Sequence, residues 1–210
     1  MRKLSEIYKK LYKAFGPRDW WPGDTPFEVA VGAILTQNTN WGNVEKAIAN
    51  LKHHGKLSAS AIYNLPADGL ASLIRPAGYF NIKAKRLKHF VDLLVREYGG
   101  SMAKMKKAGP EVIREKLLSV NGIGPETADS IILYALEKPV FVIDAYTKRV
   151  LSRHNILDHD LSYEAFQALF HENLERDVQM FNEYHALIVT VAKKHCRTKP
   201  LCEGCPLEGV

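Results

Sequence analysis

Residues 117–144, LLSVNGIGPETADSIILYALEKPVFVID, constrain the chain most. Val112, Ile113, Leu117 and Leu118 recur at helical spacing, so a helix is expected over residues 111–118. Asn121-Gly122-Ile123-Gly124 follows. Two glycines so close together suit a turn that needs positive φ or the close approach of another backbone. Pro125 stands where a helix accepts proline, at its first position, and Glu126 lies in the first turn near the positive end of the helix dipole. Ala128, Ile131, Ile132 and Ala135 give this second helix an apolar face. A hairpin of this form turns unpaired backbone N–H groups outward at a helix start, which is a phosphate site. It carries no base information, so alone it binds DNA backbone without regard to sequence. The apolar run 140–143 then ends at Asp144, just before a new helical pattern over 146–154. Asp144 reads as an N-cap, and equally as a single carboxylate available for chemistry.

The rest of the chain sets the frame. Its 210 residues suffice for one large or two small domains. A net charge of +6 favours a polyanionic partner. No apolar run is long enough to span a membrane, and the basic N-terminus is interrupted by charge too often for a signal peptide. A cytoplasmic, nucleoid-associated location is expected. The N-terminus reads instead as an amphipathic helix with Leu4, Ile7, Tyr8, Leu11 and Phe15 inward. Helical patterns alternate with short Gly, Pro and Asn breaks, with no repeat and no clear period-two stretch, so the fold class is all-α.

Several segments have two readings each. Trp20-Trp21-Pro22 lies in the first long break; the tryptophans either plug a gap in packing or form a flat aromatic wall for a ligand. Residues 26–36 read as a buried helix, with Gln37 and Asn38 as polar C-capping residues or as polar probes. A further helix is expected over 43–51, and Ser58 or Ser60 and then Asp68 suit as caps of the two short helices after it. Residues 82–98 form a basic helix in which Lys83, Lys85, Arg86 and Lys88 surround an apolar stripe, either a solvated face or a surface for a DNA strand. The three cysteines, Cys196, Cys202 and Cys205, all fall within ten residues. Their odd number and clustering argue against a disulfide framework and for metal binding. Zinc with His195 as a fourth ligand is the weaker option, because adjacency to Cys196 is poor ligand spacing.

Asn121-Gly122-Ile123-Gly124-Pro125-Glu126-Thr127-Ala128 followed by Asp144 resembles the helix-hairpin-helix plus Gly/Pro-Asp signature of the endonuclease III superfamily of DNA glycosylases. Leu35-Thr36-Gln37-Asn38-Thr39, the stretch Ala77-Gly78-Tyr79-Phe80-Asn81-Ile82-Lys83-Ala84 and the Cys cluster add matches in the family's order over nearly the whole chain. Trp20-Trp21-Pro22 and Trp41 are similar to the 3-methyladenine DNA glycosylase branch. The resemblance implies that Trp21 and Trp41 sandwich an extruded base, with Trp20 and Pro22 lining the pocket. It implies that Gln37 enters the gap left by the flipped nucleotide beside Asn38, and that Tyr79 wedges into the duplex with Lys83 nearby. Gly122, Gly124 and Thr127 of the hairpin would meet the DNA backbone. It also implies a [4Fe–4S] cluster on Cys196, Cys202 and Cys205, with the fourth family ligand falling just past residue 210. Three thiolates leave open a non-Cys ligand, a [3Fe–4S] cluster or no cluster.

Position 126 bears on the reaction. Bifunctional members of the family carry a lysine there as amine nucleophile, whereas this chain has Glu126. A carboxylate cannot form an imine, so the expectation is a monofunctional glycosylase. Asp144 would stabilise the oxocarbenium-like sugar and orient water, with Glu126 contacting the base edge or merely compensating the helix dipole. An aromatic sandwich attracts cations, which suits N3- or N7-alkylated purines. The partner is double-stranded DNA with a damaged base, the protein a monomer. A glycosylase for oxidised pyrimidines or mismatched bases, and a non-catalytic hairpin DNA-binding protein, are the rival readings. The expected architecture is two helical lobes, residues 23–134 and residues 1–22 with 135–210, with the active site in the cleft between them. The helix around 181–194 is expected to pack Tyr184, Leu187, Ile188 and Val191 against Ile7 and Leu11.

Overall fold

The computed structural model describes residues 2–18, 20 and 23–210, Arg2 by its backbone alone. Every regular element among them is helical: α1 (Arg2–Phe15), α2 (Pro26–Leu35), α3 (Trp41–His53), α4 (Ala59–Asn64), α5 (Ala67–Leu73), α6 (Phe80–Tyr98), α7 (Met102–Lys106), α8 (Pro110–Leu118), α9 (Pro125–Ser130), α10 (Ala145–Arg153), α11 (Tyr163–Asn173) and α12 (Val178–Lys194). The chain divides into two compact units, Trp21–Lys138 and Met1–Trp20 with Pro139–Val210.

The unit containing α2–α9 is built on α2. Phe27 to Leu35 are all buried, as expected of a helix apolar on every side. Thr25 caps its start by accepting from the Glu28 N–H, and the buried Glu28 carboxylate meets Lys52 at 2.7 Å. α6 lays Ala84, Leu87, Phe90, Val91 and Leu94 against the core, and the Phe27 and Phe90 rings stack at 6.5 Å. The hairpin is α8, a turn over 119–124, and α9, which runs into a π-helical turn (Ile131–Ala135) packed on α2.

The unit containing α1 and α10–α12 is built on α12. Tyr184, Leu187, Ile188 and Val191 are fully buried, as are Ile7 and Leu11 of α1. The helices meet where the Tyr184 hydroxyl donates to the Leu4 carbonyl at 2.8 Å and the Tyr8 and Tyr184 rings cross at 5.2 Å. The apolar run over 140–143 is extended but pairs with no strand among the described residues. Side chains of α11 replace the ladder: the Phe141 N–H donates to His171 Nε2, Gln167 donates to the Phe141 carbonyl, and the Ile143 N–H donates to the Tyr163 hydroxyl. Among the described residues no helix is long and apolar enough to cross a membrane.

Two helix starts differ from expectation. Asn40 accepts from the Asn43 N–H, so α3 begins at Trp41 and not at 43. α5 begins after Pro66 with Asp68 inside its first turn, so Asp68 is not the cap; Ser58 does cap α4.

Candidate active site and DNA interface

Asp144 is the N-cap of α10. Its Oδ1 accepts from the Thr147 N–H at 2.7 Å, so the capping reading of this residue holds. Capping uses one oxygen. The other, Oδ2, lies 3.5 Å from Nε2 of His185 on α12. The carboxylate is only 12% exposed. Burial pushes its pKa up, but His185 and the Thr147 N–H outweigh burial and hold the carboxyl below the usual carboxylate range. The result is an anion that stays charged while partly shielded from water, which strengthens its pull on a developing positive charge. His185 carries no signal in the sequence beyond its place one residue after Tyr184; a buried histidine in an apolar run looks like packing. Glu126 is exposed in the first turn of α9.

In the hairpin, Gly122 has φ of +90° and a Cβ there would lie 2.4 Å from the Arg86 side chain. Gly124 has φ of −94°, and a Cβ there would meet nothing within 4 Å. Only the first glycine is therefore required by the fold. Gln37 is bound to this turn: its Nε2 donates to the Gly122 carbonyl at 3.1 Å and to the Thr127 hydroxyl at 2.9 Å, while Arg86 donates to its Oε1. Neither Gln37 nor Asn38 caps α2; Thr36 is the C-cap, and the Leu35 carbonyl is met by Lys83. Asn38 is exposed with φ of +53°. Tyr79 is 67% exposed with φ of +45°, a side chain held out from the surface at the start of α6.

One expected DNA contact, Lys83, is corrected, and another, Thr127, is confined to its backbone. Lys83 is 1% exposed, and its ammonium donates to the Leu35 and Ala77 carbonyls at 2.9 and 2.7 Å, so it cannot reach a phosphate. Burial, then Arg86, lowers its pKa to about 8. The Thr127 side chain is also buried, its hydroxyl engaged by Gln37. The basic stripe of α6 is mostly internal: Lys88 donates to the carbonyls of Ile62, Tyr63 and Leu65 at the end of α4, and Arg86 holds Gln37. Lys85 is exposed.

Trp41 opens α3, half-buried, with its indole N–H donating to Glu45 at 2.9 Å. Trp20 is half-buried, with the Lys193 ammonium 5.9 Å from its ring centre. Trp21 and Pro22 lie outside the described residues. Cys196 is buried, Cys202 exposed and Cys205 half-buried, all as free thiols. Burial pushes the Cys205 thiol up, and Cys196 and Cys202 add to that push. Among the described residues they are not gathered into a metal-holding group. No chemical step is routed through a metal at these residues.

Two helices joined by a short glycine-containing turn, on an all-α scaffold, are the architecture of a helix-hairpin-helix DNA-handling protein. The chain belongs to the HhH-GPD superfamily of base excision DNA repair proteins, whose family model matches residues 31–176. It is 50% identical over 207 residues to the "Putative DNA repair glycosylase MJ1434" of Methanocaldococcus jannaschii, covering 98% of this chain and 94% of that protein. It is 28% identical to endonuclease III of Thermotoga maritima, covering 98% of this chain and 90% of the relative. Among solved structures, the 3-methyladenine DNA glycosylase MagIII of H. pylori bound to 1,N6-ethenoadenine is similar, with a TM-score of 0.76 and 30% identity over 92% of this chain and 96% of that one. The protein is thus a DNA glycosylase of base excision repair, and DNA is its substrate.

Proposed function

We propose that the protein is a monofunctional glycosylase that releases alkylated purines of the 3-methyladenine type. Glu126 carries the first part of this reading: the first turn of α9 offers a carboxylate and no amine nucleophile. The 30% identity to a 3-methyladenine DNA glycosylase supports the second part. In the reaction, the N-glycosidic bond breaks and its electron pair leaves with the base. The sugar becomes oxocarbenium-like, and the Asp144 anion stabilises that charge. Water then adds its oxygen to the anomeric carbon and gives its proton to Asp144 or to solvent. Alkylation makes the base cationic and a good leaving group, so no strong general acid is needed. Trp21 and Trp41 are proposed as the indoles that attract such a cation, with Trp20 and Pro22 as further pocket residues. Gln37, Asn38 and Tyr79 act on the duplex around the extruded nucleotide, and Gly122 and Gly124 approach its backbone.

The test is release of free 3-methyladenine from methylated duplex DNA, with borohydride present in a parallel reaction. Base release without a trapped covalent adduct supports the reading; a trapped adduct ends the monofunctional assignment. Release only of thymine glycol, of adenine opposite 8-oxoguanine or of thymine opposite guanine moves the substrate to another class. The protein is further proposed to act as a monomer, which gel filtration checks. Cys196, Cys202 and Cys205 are proposed as three ligands of an iron–sulfur cluster whose fourth ligand lies outside this set. Iron and sulfide analysis with an absorption band near about 410 nm would support that, and their absence would remove it.

A further inference from the structure

The Asp144 carboxylate is hydrogen-bonded at one oxygen by its own helix and faced at the other by a histidine of α12. Oδ1 accepts from the Thr147 N–H at 2.7 Å, which is all that an N-cap requires. Oδ2 faces Nε2 of His185 at 3.5 Å. Nothing in helix capping calls for that second contact. His185 is 4% exposed, and its ring stands nearly perpendicular to that of Phe141, with centroids 6.3 Å apart. Phe141 lies three residues before Asp144 on the segment that His171, Gln167 and Tyr163 hold in place. The imidazole therefore touches both ends of the segment that delivers the acid.

We infer that His185 is a positioning residue for glycosidic cleavage: its Nε2–H holds Asp144 Oδ2 and fixes the rotation of the carboxylate toward the anomeric carbon. The inference rests on Asp144 being the acid of the reaction. A carboxylate pinned at one oxygen by its own helix can still swing about that bond, and a second donor at right distance removes the swing. The 3.5 Å separation is long for the free enzyme, as catalytic hydrogen bonds often are before substrate closes them. His185 never meets substrate; it acts through Asp144.

The experiment uses the full chain. Single-turnover base release from duplex DNA methylated with dimethyl sulfate is measured for His185→Leu, His185→Gln, His185→Asn and Asp144→Asn. Each is also titrated with a duplex carrying a tetrahydrofuran abasic analogue and melted by circular dichroism. A Gln amide nitrogen reaches the place of Nε2, and an Asn amide nitrogen that of Nδ1. The expected result is a rate loss of about 10- to 100-fold in His185→Leu and His185→Asn, the size of one hydrogen bond to a charged group, with affinity for the abasic duplex kept. His185→Gln is expected to recover most of the rate. If the Leu variant fails to fold, the Gln and Asn pair alone decides. Equal rates in that pair, or wild-type rates in His185→Leu while Asp144→Asn is inactive, overturn the inference. Full activity in Asp144→Asn would instead sink the reading of Asp144 on which it stands.

Discussion

Gly122 and Gly124 stand two residues apart in one turn and answer to different demands. Gly122 needs its positive φ and the space that Arg86 occupies. Gly122→Ala should cost about 1–3 kcal/mol of stability, read by urea unfolding, because both the backbone and the Arg86 contact are strained. Gly124 has an ordinary φ and open space beside it, so Gly124→Ala should unfold like the parent yet bind duplex DNA about tenfold more weakly by fluorescence anisotropy. Asp144→Asn makes a similar separation. Asn caps a helix about as well as Asp, so the fold should survive, with a loss of stability at neutral pH because the neutral amide forgoes the stabilisation that lowers the Asp144 pKa, while base release falls at least about 100-fold. Lys83→Met leaves the buried carbonyls of Leu35 and Ala77 without a donor and should cost about 2–5 kcal/mol. The titration of Lys83 also has a sign. Its native pKa of about 8 lies below that of an unfolded lysine, so above about pH 8 the unfolded chain holds the extra proton. Wild-type stability should therefore gain from this group as pH rises from about 8 toward the ordinary lysine value, and Lys83→Met should lose that gain in unfolding curves taken across the window. Asp144 was legible in the sequence because a cap and an acid share one position. His185 was not, since its partner lies 41 positions earlier (185 − 144) and only folding brings the two together.

At the scale of elements, periodicity located the helices and caps moved their ends. The hairpin was legible almost whole because Gly, Pro and apolar spacing all act within a few residues of one another. α6 shows where local pattern misleads. Four cations around an apolar stripe read as a solvated face or a surface for DNA, yet Lys83, Arg86 and Lys88 turn to carbonyls and amides of neighbouring segments. A helix end exposes unpaired carbonyls, and a long cation from an adjacent helix satisfies them. Sequence spacing cannot say which helix end lies within a lysine's reach. The two classes of cation should separate experimentally. Lys85→Ala should lower the salt dependence of DNA binding by about one unit of slope with little change in stability. Lys88→Met should lower stability by about 1–2 kcal/mol, since the last carbonyls of α4 lose their donor.

At the scale of the molecule, the all-α class followed from the lack of alternation, and the packing of α12 on α1 followed from their apolar faces. The irregular segment over 140–143 did not, because its hydrogen bonds go to side chains of α11 instead of to a neighbouring strand. The contacts of Gln37 have one more consequence. Both ends of its amide are occupied by the hairpin and α6. If this side chain fills the space of an extruded nucleotide, it must first let go of Gly122, Thr127 and Arg86. Undamaged duplex, whose stacked bases leave no vacancy to compensate those broken bonds, would then slide past a sheathed probe, and only a lesion that yields easily would draw it out.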